Sequence, residues 1–378
     1  MSRSASALPI WRRIGRPALW LAASWALAGA ASAATRWSAS DLTALSAVAA
    51  SASAEGLSGD YGAAGLADQP SEATDVQADA TALALARDYY EGSALTRKDP
   101  SWHIQRGEFD YHGWLDDVLS RHSVRSSFRA LLPDTPAYSG LRLALARCHD
   151  AAGPCGTLAA NLDRLRALPR NLGPRYLWVN LPAYRLDLVE DGRVVATHRV
   201  IVGKPRSQTP SFQAAVTGVT INPWWNVPCS IVDESIGKLI ATNPAEAARR
   251  GYVASRDAKG RLVVRQKPGP DNALGQIKLE MPNPYDVYIH DTPARDLFAR
   301  GTRAFSHGCI RTEDPKSLAV ILLGQDKEAA VDLLLATGVS RTLKLPSPVP
   351  VYVLYMTAEA DASGTVSTYP DIYHRDRR

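Results

Sequence analysis

The hydrophobic period changes near Tyr176, and that change constrains the fold more than any other feature of the chain. Before it, apolar residues recur at helical spacing. Leu42, Leu45, Val48, Ala49 and Ala52 share one side of a helix expected over Asp41–Ala54, with Ser40 as its N-cap and Gly56 as its stop. Further helices are expected near Ala80–Tyr90, Trp114–His122, Ser139–Arg147 and Thr157–Leu168, with the polar stretch Ser58–Asp75 as a loop. From Tyr176 the pattern is one of short Val-, Leu- and Tyr-rich runs: Tyr176–Asn180, Arg185–Glu190, Val194–Val202, Phe212–Ile221, Leu262–Gln266, Ile277–Glu280 and Val287–His290. Asp191-Gly192 stands where a tight hairpin turn belongs. Helical spacing returns in Ser230–Ala241, Lys316–Leu323 and Lys327–Ala336, and Arg341–Leu345 and Val351–Met356 read as closing strands. There is no alternation of strand and helix and no phosphate-binding glycine loop, so a doubly wound nucleotide-binding sheet is excluded. The expected class is α+β: an N-terminal helical domain, then a mostly antiparallel β-rich domain with a few helices.

The net charge of +5 does not point to nucleic acid. Arg3, Arg12, Arg13 and Arg16 lie in the first 33 residues with no acid, which leaves 39 basic against 38 acidic side chains in the remainder. Those 33 residues have a basic stretch, an apolar run from Ala18 to Ala30 and the small-residue signature Ala31-Ser32-Ala33, the three parts of a secretory signal peptide. The run is shorter than the roughly 20 residues a membrane-spanning helix needs, although an uncleaved anchor is the alternative. The expected organisation is a signal peptide over 1–33, a helical domain over 34–172, a β-rich domain over 173–345 and a C-terminal strand and tail over 346–378. The mature chain is expected in the periplasm, an oxidising compartment, with no transmembrane span.

The chemistry concentrates in Tyr288-Ile289-His290-Asp291-Thr292 and, fourteen residues on, Ser306-His307-Gly308-Cys309-Ile310-Arg311. Cys309 offers a sulfur nucleophile that acts as thiolate and so needs an imidazole or a positive field beside it. His290 ends an expected strand and His307 precedes Cys309 by two. Gly308 allows a tight turn, so that backbone N–H groups around Gly308 and Cys309 can serve an oxyanion. One cysteine near two histidines also fits a buried thiol among core histidines. The cysteines have no zinc-type spacing.

His290 with the Ser306–Arg311 run resembles the signature of the L,D-transpeptidase (YkuD-type) catalytic domain. Val179–Leu186, Val200–Pro205, Asn222–Pro228, Arg265–Gly275 and Met281–Tyr288 resemble the larger subfamily that carries a helical scaffold domain. The resemblance implies a peptidoglycan cross-linking enzyme, with Cys309 as nucleophile, His290 as proton donor and acceptor, and His307 and Gly308 beside the oxyanion site. Ser306 and Arg311 would shape the substrate site, and Arg311 would pair with a substrate carboxylate. Cys309 would attack the diaminopimelate–D-alanine bond of a stem tetrapeptide, release D-alanine and pass the acyl group to an amine of a neighbouring stem, in a 3-3 or 1-3 link. Water as acceptor (a carboxypeptidase or endopeptidase) or a protein amine are the alternatives. Carbapenems are implied as covalent inhibitors, with no metal and no cofactor. Tyr288, Trp224 and Trp225 are candidates for flanking the stem peptide or stacking on sugar, set against ordinary packing.

The sequence departs from that pattern twice. The larger relatives carry an inserted peptidoglycan-binding module, and here only Cys148–Thr157 occupies the place. In an oxidising compartment Cys148 and Cys155 are expected to bridge across the shortened loop, the alternative being two unrelated thiols. Cys229 stands where relatives have a second proline and is read as a buried, inert thiol.

Overall fold

The computed structural model describes residues 35–62, 66, 70–151 and 155–376. The basic and apolar segment expected to direct export lies outside the described residues. Among these residues no helix is long and apolar enough to cross a membrane.

The first half is helical. It comprises α1 (Ala39–Ala50), α2 (Glu72–Glu91), α3 (Ala94–Arg97), the short strand β1 (Trp102–His103), α4 (Tyr111–Ser120), α5 (Val124–Leu131), α6 (Pro136–Ala151) and α7 (Cys155–Arg166). Ser38, not Ser40, caps α1, its hydroxyl accepting from the Asp41 N–H at 3.1 Å. Helix α2 starts well before Ala80 because Ser71 caps it in the same way on Thr74. Helix α5 was not expected, yet its buried Val124, Phe128 and Leu131 follow helical spacing. Trp37, Leu42, Leu45, Leu85, Leu115 and Phe128 form the core of this half.

The second half contains β2 (Arg175–Asn180), β3 (Arg185–Glu190), β4 (Arg193–Gly203) and β5 (Ser211–Ile221). An excursion follows: β6 (Trp225–Asn226), α8 (Cys229–Ile231), α9 (Gly237–Thr242), α10 (Pro244–Arg249), β7 (Tyr252–Arg256) and β8 (Leu262–Gln266). The chain then returns through β9 (Ile277–Glu280), β10 (Ile289–His290), β11 (Ala304–Ser306), β12 (Ile310–Thr312), α11 (Pro315–Leu323), α12 (Glu328–Thr337) and β13 (Arg341–Leu354), and ends with the hairpin β14 (Ala358–Ala360) and β15 (Val366–Thr368). Strands run in the order β5-β13-β2-β3-β4-β12-β10-β9, and β9 pairs again with β5, which closes the sheet on itself. Most pairings are antiparallel; β2 with β13 and β10 with β12 are parallel. Asp191 and Gly192 both have positive φ, 46° and 75°, the conformation a two-residue hairpin turn of this hand demands.

Closure buries alternate residues of each strand: Leu177 and Val179, Leu186 and Leu188, Val200 and Val202 are each 0 % exposed. Helix α11 adds Leu318 and Leu322 to this core. The two expected closing strands are one strand, β13, whose register shifts between Lys344 and Val349, where Pro346 and Pro348 cannot donate to the ladder. The boundary expected at residue 345 therefore falls inside β13. Tyr352 and Leu354 at the end of β13, with Met356 just past it, pack against Leu141, Leu145, Leu158 and Leu162 of α6 and α7, joining the two halves.

Candidate active site

Strands β10 and β12 place the two expected catalytic segments side by side, with Ile289 opposite Ile310 and His290 opposite Arg311. The Tyr288 carbonyl accepts from the Ile310 N–H at 3.0 Å, which fixes Cys309 beside Tyr288. Above these strand ends lies a cavity of about 630 Å³ lined by His290, Cys309, His307, Gly308, Arg311, Ser306, Tyr288 and Trp225. Residues from two further segments reach it, Gln208 and Pro210 before β5, and Pro228, Ser230 and Ile231 of the excursion. The excursion has its own small core of Trp225, Val227, Val232, Val264 and Leu274 and forms a roof over the site.

His290 is 5 % exposed. Its Nδ1 donates to the Asp291 carbonyl, because a carbonyl can only accept, so Nε2 carries the lone pair. The Asp291 carboxylate is itself held by the Gln276 N–H at 2.8 Å and Arg295 at 2.7 Å. Burial, reinforced by the positive charge of Arg311, pushes the imidazole down to about 3, while the carbonyls of Asp291 and Leu274 oppose that shift. Burial likewise pushes the Cys309 thiol above its ordinary range, against the Tyr288 hydroxyl and the charges of Arg311 and Lys278, which favour the thiolate. Cys309 Sγ donates to the Asp286 carbonyl at 3.6 Å, and among the described residues no hydrogen bond joins it to the imidazole. Burial thus works against the charged form of both the thiol and the imidazole.

The Tyr288 side chain faces the sulfur. Burial pushes its phenol well above the ordinary range, with the nearby Cys309 sulfur adding to the shift and the Trp225 side chain opposing it. Trp225 is 7 % exposed and part of the wall. Trp224, expected beside it, lies outside the cavity: its ring is exposed and carries the Arg265 guanidinium at 4.6 Å. Adjacent residues of an extended chain point to opposite faces, so only one of the pair can face the site.

Ser306, which also lines the cavity, acts on the loop that carries the nucleophile. It is 2 % exposed, donates to the Cys309 carbonyl at 2.6 Å and accepts from the Gly308 N–H at 3.1 Å, bracing the nucleophile loop from within. That bond also removes the Gly308 N–H from the expected oxyanion donors. Gly308 has φ 122°, a backbone region that side chains rarely adopt. His307 is exposed, with Nε2 3.0 Å from Glu234 of the roof and 2.9 Å from Lys204 Nζ. Its contacts are thus to the roof and the rim. Arg311 is half-buried in the cavity wall, its Nε without a hydrogen-bond partner among the described residues, and burial lowers its pKa. Cys229, read as buried, is exposed at the start of α8. Cys148 and Cys155 form a disulfide, with Cα atoms 5.6 Å apart. No group of three or more potential metal ligands occurs among the described residues.

Sequence reasoning missed Glu234, Lys204, Lys278 and Thr209. Lys204 lies within a stretch that already resembled the family, Val200–Pro205; the other three carry no local signal.

A family model described as the L,D-transpeptidase catalytic domain (YkuD) matches residues 174–346, and a scaffold-domain model matches residues 16–145. A curated protein of Haemophilus influenzae named "Putative L,D-transpeptidase" is 34% identical over 240 residues, 58% of this chain and 48% of that protein. The chain thus spans about half the length of that relative. Among solved structures, the catalytic domain of the Enterococcus faecium L,D-transpeptidase acylated by ertapenem is 16% identical, covering 49% of this chain and 99% of that one, with TM-score 0.24. The Mycobacterium smegmatis L,D-transpeptidase is 16% identical, covering 48% and 58%, with TM-score 0.24. Residues 174–346 thus form a YkuD-type L,D-transpeptidase catalytic domain, preceded by a scaffold domain over residues 16–145.

Proposed function

We propose that this chain is an exported, periplasmic peptidoglycan L,D-transpeptidase that works through an acyl-enzyme on Cys309. The observation that carries this reading is the convergence of Cys309, His290, Tyr288 and Arg311 on one roofed cavity. The donor is a stem tetrapeptide. As Sγ attacks the carbonyl carbon of diaminopimelate, its proton passes to Nε2 of His290, the C–S bond forms and the carbonyl electrons move to oxygen. Collapse breaks the C–N bond, and the imidazolium returns its proton to the departing amine of D-alanine. The carbonyls of Asp291 and Leu274 favour the imidazolium, and the Tyr288 hydroxyl favours the thiolate. A stem amine then attacks the thioester, giving a 3-3 or 1-3 link, with His290 taking its proton. Arg311 holds a donor carboxylate in a bidentate pair. Carbapenems acylate the same sulfur.

The test is incubation of the purified protein with defined stem tetrapeptides and disaccharide-linked acceptors, followed by mass spectrometry. Dimers with loss of D-alanine, absent for Cys309→Ala, are expected. Trimmed monomers alone would assign a hydrolase, a protein-linked product would assign attachment, and full activity in Cys309→Ala would sink the nucleophile assignment.

A further inference from the structure

The oxyanion formed during acyl transfer needs a donor, and the Gly308 N–H is already committed to Ser306. The Cys309 N–H has no partner among the described residues. What aims it is the other edge of its peptide unit. A trans peptide is planar, with its C=O and N–H pointing in opposite directions. The Gly308 carbonyl accepts from the Thr209 hydroxyl at 2.7 Å, on the buried side of the loop. The Cys309 N–H therefore points away from Thr209, and Cys309 itself lines the cavity.

Thr209 is built to hold that direction. It is 0 % exposed. Its oxygen accepts from the Gly203 N–H at 3.0 Å, which leaves its one proton for the Gly308 carbonyl. Its backbone is pinned by the C-terminal tail: its N–H donates to the Tyr373 hydroxyl at 3.4 Å and its carbonyl accepts from Arg375 at 3.1 Å. Tyr373 in turn donates to the Gly203 carbonyl at 2.6 Å. Gly203 admits no side chain, since a Cβ would collide with the backbone of Ser207 and Thr209. Arg375 lies over the rings of Tyr355 and Tyr373, 4.7 Å from each. Gly308 is required by its backbone alone, because a Cβ there would meet open space.

We propose that Thr209 is a positioning residue for the oxyanion donor at Cys309, held in place by Tyr373 and Arg375 of the C-terminal tail. This inference rests on the acyl-transfer reading above. It separates Thr209 from ordinary loop packing, because a misaimed donor slows only reactions that generate an oxyanion.

Two reactions of the same sulfur make that separation. Iodoacetamide forms a C–S bond at a saturated carbon and expels iodide, with no oxyanion. A carbapenem is attacked at its β-lactam carbonyl, so electrons reach oxygen before the ring C–N bond breaks and the ring nitrogen takes up the proton from His290. Losing an oxyanion donor outright costs about 10²–10³ in rate. For Thr209→Val we expect acylation about 10- to 100-fold slower, alkylation within about twofold of the parent, and recovery of acylation in Thr209→Ser. If Thr209→Val does not fold, Tyr373→Phe, which leaves Thr209 in place, carries the same test with a loss of a few fold. Unchanged acylation, or equal losses in both reactions, overturns the proposal. A parent protein that is alkylated but never acylated overturns the acyl-transfer reading instead.

Discussion

His290 and Arg311 are register partners across the parallel strands β10 and β12, so a base and a permanent cation share one end of the sheet. Burial first, and that cation second, keep the imidazole unprotonated far below neutrality. The same burial depresses Arg311, whose Nε finds no partner among the described residues. A half-buried guanidinium without a carboxylate carries a desolvation cost that an anionic donor would relieve. Arg311→Gln should therefore have two separable effects: a higher protonation midpoint for His290 in an NMR titration, and a KM for the donor raised about tenfold or more, with a smaller change in kcat. An unchanged titration would mean that burial alone sets the imidazole.

Stability should record the same imidazole. In the unfolded chain it takes a proton near its ordinary value of 6.5; in the folded protein it does not until about 3. Between those values the unfolded state binds more protons, so stability is full above pH 6.5 and falls as pH drops through the window. The slope from one such group reaches about 1.4 kcal/mol per pH unit. Denaturant midpoints from pH 7 to 4 should fall less steeply for His290→Gln than for the parent. Parallel curves would place the acid sensitivity elsewhere.

Tyr288 offers the sulfur a hydroxyl donor that a phenylalanine removes without emptying the wall. Hydrogen bonds to a charged partner contribute about 1.5–3 kcal/mol. Tyr288→Phe should raise the thiol pKa further and slow alkylation of Cys309 at pH 7 by about tenfold, with rates converging at high pH, where the thiolate forms regardless. A constant deficit at every pH would mean that the phenol acts by shaping the cavity.

The strands, the Asp191-Gly192 turn and the proximity of Cys309 to His290 were legible because each is a local pattern or follows from strand ends in a closed sheet. What was not legible has a common physical origin. Trp224 and Trp225 are adjacent and chemically alike, and only the pairing of β6 with β8 decides which one faces inward. Cys229, expected to be buried because it takes the place of a proline in relatives, sits at the exposed start of α8. The desolvation of Cys309 and His290 carries no local signal, because it depends on how the segments around the cavity pack over them. Thr209 meets Gly308 across 99 residues and is held by Tyr373 of the C-terminal tail, and nothing in their own flanks announces either contact.

The Cys148–Cys155 bridge ties the end of α6 to the start of α7 across seven positions. Cys148 is 7 % exposed and packs with Leu141, Leu145 and Leu158, so both helices approach the bridge from a formed core. Closing so small a ring removes roughly 2–3 kcal/mol of unfolded-chain entropy. Cys148→Ala/Cys155→Ala should lower the stability of the helical half by an amount of that order, read as a shifted denaturant midpoint, and reductant should shift the parent in the same direction but leave the double variant unmoved. The carbapenem acylation rate of Cys309 should not change, because the bridge lies in the helical half and the sulfur at the end of the β-barrel. A matching loss of acylation would show that α6 and α7, which pack on Tyr352 and Leu354 of β13, transmit strain through that strand to the site.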